Sequence, residues 1–109
     1  MIIIAGDHVS LPAGDLLGTV GDDFLYKHKI IHPDIEGATF YLAVEFSNGV
    51  VSSAISPDGT FCVPAMMLRE VGEFNAQIWA EKEITASVTR RWFSEKFRVR
   101  IGTALPRLT

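Results

Sequence analysis

The chain has 109 residues, of which 48% are hydrophobic and 21% charged, with a net charge of −3 and a single cysteine. That is the size of one domain with one core. It excludes a disordered chain and a disulfide-stapled scaffold, and no apolar run approaches the ~20 residues of a helical membrane span.

Met1 to Val9 is predicted as a first strand. Its four apolar residues before Gly6 and Asp7, with no basic residue ahead of them, are too few for a signal-peptide core. Synthesis in the cytoplasm is therefore expected. Ser10 to Asp23 holds Pro12, Gly14, Gly18 and Gly21 and three aspartates, which is loop chemistry with room for a short extended piece at Leu16–Leu17. In Phe24 to His32, Ile30 and the histidines share one parity and Lys27 and Lys29 take the other, so the lysines mark an outer face. Pro33 to Gly37 reads as a turn.

Ala38 to Ser47 is a clear strand, with Phe40, Leu42, Val44 and Phe46 inward and Tyr41 outward. Asn48-Gly49 predicts a hairpin into Val50 to Ile55, because both residues tolerate positive φ. Ser56 to Gly59 turns into Phe61-Cys62-Val63, and the three strands are expected to form a meander. Pro64 and Ala65 to Val71 favour one helical turn, with Leu68 and Val71 plugging the core. Met66 and Met67 read as core filling rather than a soft binding surface.

Phe74 to Glu83 alternates again, placing Ala76, Ile78 and Ala80 inward and Trp79 outward. Ile84 to Thr89 is a hairpin turn or brief strand. From Trp92 to Ile101, Phe93, Phe97, Val99 and Ile101 share the inward parity, against Trp92, Lys96, Arg98 and Arg100 outward. Seven to eight short strands with frequent turns and one short helical turn make an all-β chain. The expected fold is an antiparallel immunoglobulin-like β-sandwich over residues 1–105, with 106–109 as a C-terminal tail.

The chemistry-bearing residues do not assemble into a known motif. Gly14, Gly18 and Gly21 lack the Lys-Ser/Thr of a phosphate loop. No serine sits in a nucleophile elbow, and the aspartates match no calcium loop. His28 and His32 would stand ~13 Å apart along a strand, too far to share a zinc. Cys62, in an apolar run, reads as a structural thiol. Neither a catalytic residue nor a metal or other cofactor is expected, and the chain is not expected to be an enzyme.

Charge is uneven: residues 1–89 carry four Lys/Arg and 12 Asp/Glu, residues 90–109 six and one. The late cations alternate with apolar residues, which suits the wet face of a strand or a protein contact rather than a nucleic-acid surface. The candidate interface is Tyr41, Trp79 and Trp92, all on outward parity, with Arg98 and Arg100. Such aromatics stack on a sugar, bury in a protein interface, or lie covered by other parts of the fold.

The run Asp58-Gly59-Thr60-Phe61-Cys62-Val63-Pro64, followed by Leu68 and Gly72-Glu73-Phe74-Asn75-Ala76-Gln77-Ile78-Trp79-Ala80, resembles tail proteins of phages of Gram-positive bacteria. Thr89 to Ile101 and the Phe40 to Phe46 strand fit the same rhythm. Residues 24–102 are similar to the N-terminal immunoglobulin-like domain of baseplate upper proteins, or to a related small tail protein. The resemblance implies a virion structural role without catalytic residues. Its partners would be other tail or baseplate proteins and further copies of itself as a homo-oligomer, with no nucleic acid and no membrane. It would reside in the host cytoplasm during assembly and in the virion tail afterwards. A carbohydrate-binding module using the exposed aromatics is the alternative reading.

Overall fold

The computed structural model describes residues 1–6, 8–20, 27–33 and 35–103. The expectations for Phe24 to Tyr26, for Asp7, Asp22, Asp23 and Asp34, and for the tail at 106–109 lie outside the described residues. Among the described residues ten strands follow one another: β1 (Ile2–Ala5), β2 (His8–Ser10), β3 (Leu16–Thr19), β4 (Lys27–Ile31), β5 (Thr39–Phe46), β6 (Gly49–Ala54), β7 (Thr60–Cys62), β8 (Gly72–Thr85), β9 (Val88–Phe93) and β10 (Phe97–Gly102). The helical turn is a 3-10 turn over Ala65–Met67. The chain is thus nearly all-β. Among the described residues no helix is long and apolar enough to cross a membrane.

The strands form two sheets. One has the order β2-β1-β4-β7; the other runs β3-β10-β8-β5-β6, with β9 also paired to β8. Both sheets are mixed, which corrects the antiparallel expectation. β1 pairs parallel with β4, and β3 parallel with β10. Alternation places side chains on two faces but says nothing about the direction of the neighbouring strand, so the pattern could not distinguish these cases.

Buried residues of both sheets form one core. Ile2, Ile4, Ile30 and Phe61 come from the first sheet; Leu42, Val44, Ile78, Val99 and Ile101 from the second. The predicted inward faces of β5 and of β8 from Ala76 to Ala80 are buried as expected, and Phe74 packs edge-on against Phe46 with ring centroids 4.9 Å apart. Burial of these side chains is the main favourable term holding the sheets together.

Several boundaries differ from the sequence reading. The first predicted strand is a hairpin, because Gly6 at φ 65° turns the chain between β1 and β2. The second hairpin exists, but Phe46 pairs with Gly49, so its loop is Ser47-Asn48 and Gly49 opens β6. The expected meander does not continue: β7 crosses to the other sheet and pairs with β4. Its turn is closed by Gly59 N–H donating to the Ser56 carbonyl (2.8 Å). Thr60 N–H donates to Asp58 Oδ1 (2.9 Å), and Lys29 Nζ to the Asp58 carbonyl. Leu68 plugs the core as predicted, whereas Val71 is 57% exposed. Met67 is buried and Met66 is not. Cys62 is half-buried.

Polar contacts made by His28 and Glu95 tie the sheets to each other. His28 Nε2 on β4 donates to the Leu17 carbonyl on β3 (2.9 Å). Glu95, between β9 and β10, accepts Val9 N–H on β2 (2.9 Å) and lies 2.8 Å from His8 Nδ1.

Candidate interaction surface

The outer face of the six-stranded sheet carries the candidate surface. On it, Tyr41 of β5 stands directly opposite Trp79 of β8, and Trp79 directly opposite Phe93 of β9. Their rings form a row. Tyr41 and Trp79 stack with centroids 4.3 Å apart and planes 17° from parallel; Trp79 and Phe93 are 6.4 Å apart at 23°. Two rings lying side by side in one plane cannot bring their centroids this close, so Tyr41 and Trp79 face one another and turn their edges to solvent. Trp79 Nε1 donates to Ser52 Oγ on β6 (3.4 Å). Phe93 is 52% exposed.

Trp92 does not belong to this row. It is half-buried against the core and meets Phe40 edge-on, with centroids 6.2 Å apart. This overturns the predicted parity of Trp92 and Phe93, and the cause is a bulge. Phe93 pairs with Trp79, yet Phe97 pairs with Ala76, so three residues, Ser94 to Lys96, oppose two, Gln77 and Ile78. One extra residue flips every side chain on one side of the irregularity relative to the other.

Ser94 holds the bulge and was missed by the sequence reading. It is 4% exposed. Its N–H donates to the Ile78 carbonyl (2.9 Å), and its hydroxyl accepts Ile78 N–H (3.1 Å) and donates to the Glu95 carbonyl (2.8 Å). The Ser94 carbonyl, turned out of the ladder, accepts Gln77 Nε2 (2.8 Å) instead. The side chain thus takes over the bond its own carbonyl would make in a regular ladder, so Ile78 N–H keeps an acceptor. Serine among aromatic and basic residues gave only a faint signal of this.

The cations of the last strands are largely engaged within the chain. Arg100 Nε lies 3.4 Å from Asp15 Oδ1, and Arg91 Nη2 3.0 Å from Glu81 Oε1. Arg98 Nη1 donates to the Glu73 carbonyl (3.5 Å). Arg98 and Arg100 sit on the same outer face as the aromatic row, opposite Asn75 and Glu73. The structure therefore brings together Tyr41, Trp79, Arg98 and Arg100 on one face, adds Phe93, and removes Trp92.

A concavity lies elsewhere, beside the start of β5 and the end of β6. It encloses about 420 Å³ and is lined by His32, Phe40 and Ile55 among others. His32 stacks on Phe40 with centroids 3.7 Å apart, and its Nδ1 donates to the Pro33 carbonyl (2.9 Å). His32 is the one titratable side chain among the described lining residues. No group of three or more His, Cys, Asp or Glu side chains that could hold a metal ion occurs among the described residues.

Compared with known proteins, the chain matches no family model, no curated protein and no solved structure.

Proposed function

We propose that the chain is a non-enzymatic, immunoglobulin-like β-sandwich module that acts by protein–protein assembly, as a tail or baseplate component of a phage or prophage. The observation that carries the assembly reading is the Tyr41–Trp79–Phe93 row on the outer sheet face. Its stacked rings make a stiff apolar ridge of ring edges, flanked by Arg91 and Arg98 on the same face. Aromatic residues with arginine beside them favour a protein interface, where they offer large area at small entropic cost. The resemblance of residues 24–102 to baseplate upper proteins supplies the tail class. Its partners are then neighbouring tail proteins and copies of the chain itself, in the host cytoplasm during assembly and in the virion afterwards.

Sugar binding draws less support from this geometry. A sugar ring stacks on a free, flat aromatic face, and the facing surfaces of Tyr41 and Trp79 are occupied by each other.

The test is to induce prophages in the organism that encodes the chain, band the particles on a density gradient and identify the polypeptides by mass spectrometry. The expected result is this chain in fixed stoichiometry with tail proteins, reduced when Phe93 is replaced by serine. Its absence from particles overturns the tail reading. A change in tryptophan fluorescence on adding cell-wall polysaccharide would put the sugar reading ahead.

A further inference from the structure

We infer that β6 is a self-pairing edge: two copies of the chain join β6 to β6 in antiparallel register about a two-fold axis at Ser52. The inference draws on the proposed function only for the expectation that copies associate; the edge and register come from the strand itself.

β6 ends the six-stranded sheet, and its pairing with β5 runs through six residues without a register shift. Ile55 N–H donates to the Phe40 carbonyl (2.8 Å), which fixes the alternation along this pair. Gly49, Val51 and Ser53 bond toward β5, so Val50, Ser52 and Ala54 direct their N–H and C=O groups out of the sheet. An open edge of this kind is a template for another strand unless it is blunted by charge, proline, a bulge or a cover. The sequence Gly49-Val-Val-Ser-Ser-Ala54 has neither a charge nor a proline.

Other edges carry such devices. β2 has Val9 N–H taken by Glu95, and β9 carries Arg90 and Arg91. β7 is only three residues long. β3, the opposite edge of the same sheet, is four residues long, and its Leu17 carbonyl accepts His28 Nε2; among the described residues, β6 is the longest edge left plain.

The strand's own sequence argues for a second copy as the occupant. With Ser52 opposite Ser52 of the other copy, Val50 meets the other copy's Ala54. All three outward residues then pair, giving roughly six main-chain hydrogen bonds at two per bonded pair. Val50 is 64% exposed, the most exposed large apolar side chain among the described residues. In this register it sits directly opposite Ala54 of the other copy and in line with that copy's Tyr41, one strand further on. The aromatic row Phe93–Trp79–Tyr41–Ala54 then continues into Val50 across the junction, twice by symmetry. The pairing opposes no like charges, because the strand has none. Strand addition on its own covers a small area, so the dimer is weak, in the micromolar-to-millimolar range.

Sedimentation equilibrium over a wide concentration range tests this. Wild-type protein is expected to show a reversible monomer–dimer equilibrium. Ser52→Pro removes an N–H that the fold does not use and blocks the edge; Val50→Lys places a charge there. Each is expected to weaken the dimer at least about tenfold. Circular dichroism identifies a variant that fails to fold, and the other then decides. In a Cys62→Ala background, Ser52→Cys is expected to be joined between chains by a short bismaleimide linker, since residues paired across a two-fold at this position bring their Cβ atoms to about 5.5 Å. A wild-type chain that stays monomeric throughout overturns the inference. So does a dimer indifferent to both substitutions, or a Ser52→Cys variant that does not cross-link. Phe93→Ser, on the ridge and away from β6, leaves the dimer unchanged. Failure of the tail reading, read in the particles, is thus separate from failure of the edge inference.

Discussion

Tyr41 and Trp79 occupy directly opposite positions on β5 and β8 and stack face to face, 4.3 Å between centroids and 17° from parallel. Such cross-strand aromatic pairs stabilise a sheet by roughly 0.5–1.5 kcal/mol beyond the area they bury. The same pair forms the middle of the outer ridge, so it serves both the sheet and the surface.

The bulge gives the two neighbours Trp92 and Phe93 opposite fates. Replacing Phe93 with serine is expected to change stability by no more than about 0.5 kcal/mol, as at other exposed sites. Trp92→Ser, which removes a ring packed on Phe40 and the core, should cost roughly 2 kcal/mol or more. Urea unfolding of the two variants checks this. Equal losses would contradict the face assignment.

Ser94→Ala leaves Ile78 N–H without its acceptor in a buried place. The expected loss is about 1–3 kcal/mol, the cost of stranding a buried donor. Hydrogen exchange should speed up most at Ile78 and its neighbours. Ser94→Thr, which keeps the hydroxyl, should recover part of the loss.

Gly59 adopts φ 86°, and a Cβ there would lie 2.6 Å from the Ile30 carbonyl oxygen. Ile30 N–H in turn donates to the Gly59 carbonyl (2.8 Å), so the two backbones are held close. Gly59→Ala therefore meets both a disfavoured conformation and a clash with main chain. A loss above about 1 kcal/mol is expected in thermal unfolding. Gly49→Ala, also at positive φ but with open space for the Cβ, should cost less.

Asp58 accepts Thr60 N–H, and this bond, followed by the Thr60 side chain, holds its carboxyl below the ordinary value of 3.8. A carboxylate favoured in the fold adds stability above its unfolded pKa, and loses it as pH falls through the lower folded pKa. Melting temperature should accordingly decline as pH drops below about 4, the ordinary range of an unfolded aspartate. Asp58→Asn should melt lower than wild type at neutral pH, with the difference shrinking in acid. A constant difference across that range would argue against the carboxylate's role.

Much of the fold was legible from alternation. The inward faces of β5 and the middle of β8, the outward lysines of β4 and the outward Tyr41 and Trp79 follow directly from a two-residue period. The turn at Ser56 to Gly59 followed from proline, aspartate and glycine at their usual turn positions. Trp92 was misplaced because parity was carried unbroken through Ser94 to Lys96, and nothing local distinguishes a bulge from a regular strand at that point. Phe93 was lost from the candidate surface for the same reason. Arg100 looked like a free cation because its partner, Asp15, is 85 positions away in the chain.

What the sequence by itself determined is most of the longer strands, the buried faces of β5 and of the middle of β8, and the turn at Ser56 to Gly59, because these depend on neighbours within a few residues. Only the tertiary structure decided which strands run parallel, that β7 leaves its neighbours for the other sheet, where the bulge falls, and which edge stays open. Those depend on hydrogen bonds and packing between residues far apart in sequence, and alternation is the same whichever partner a strand finds.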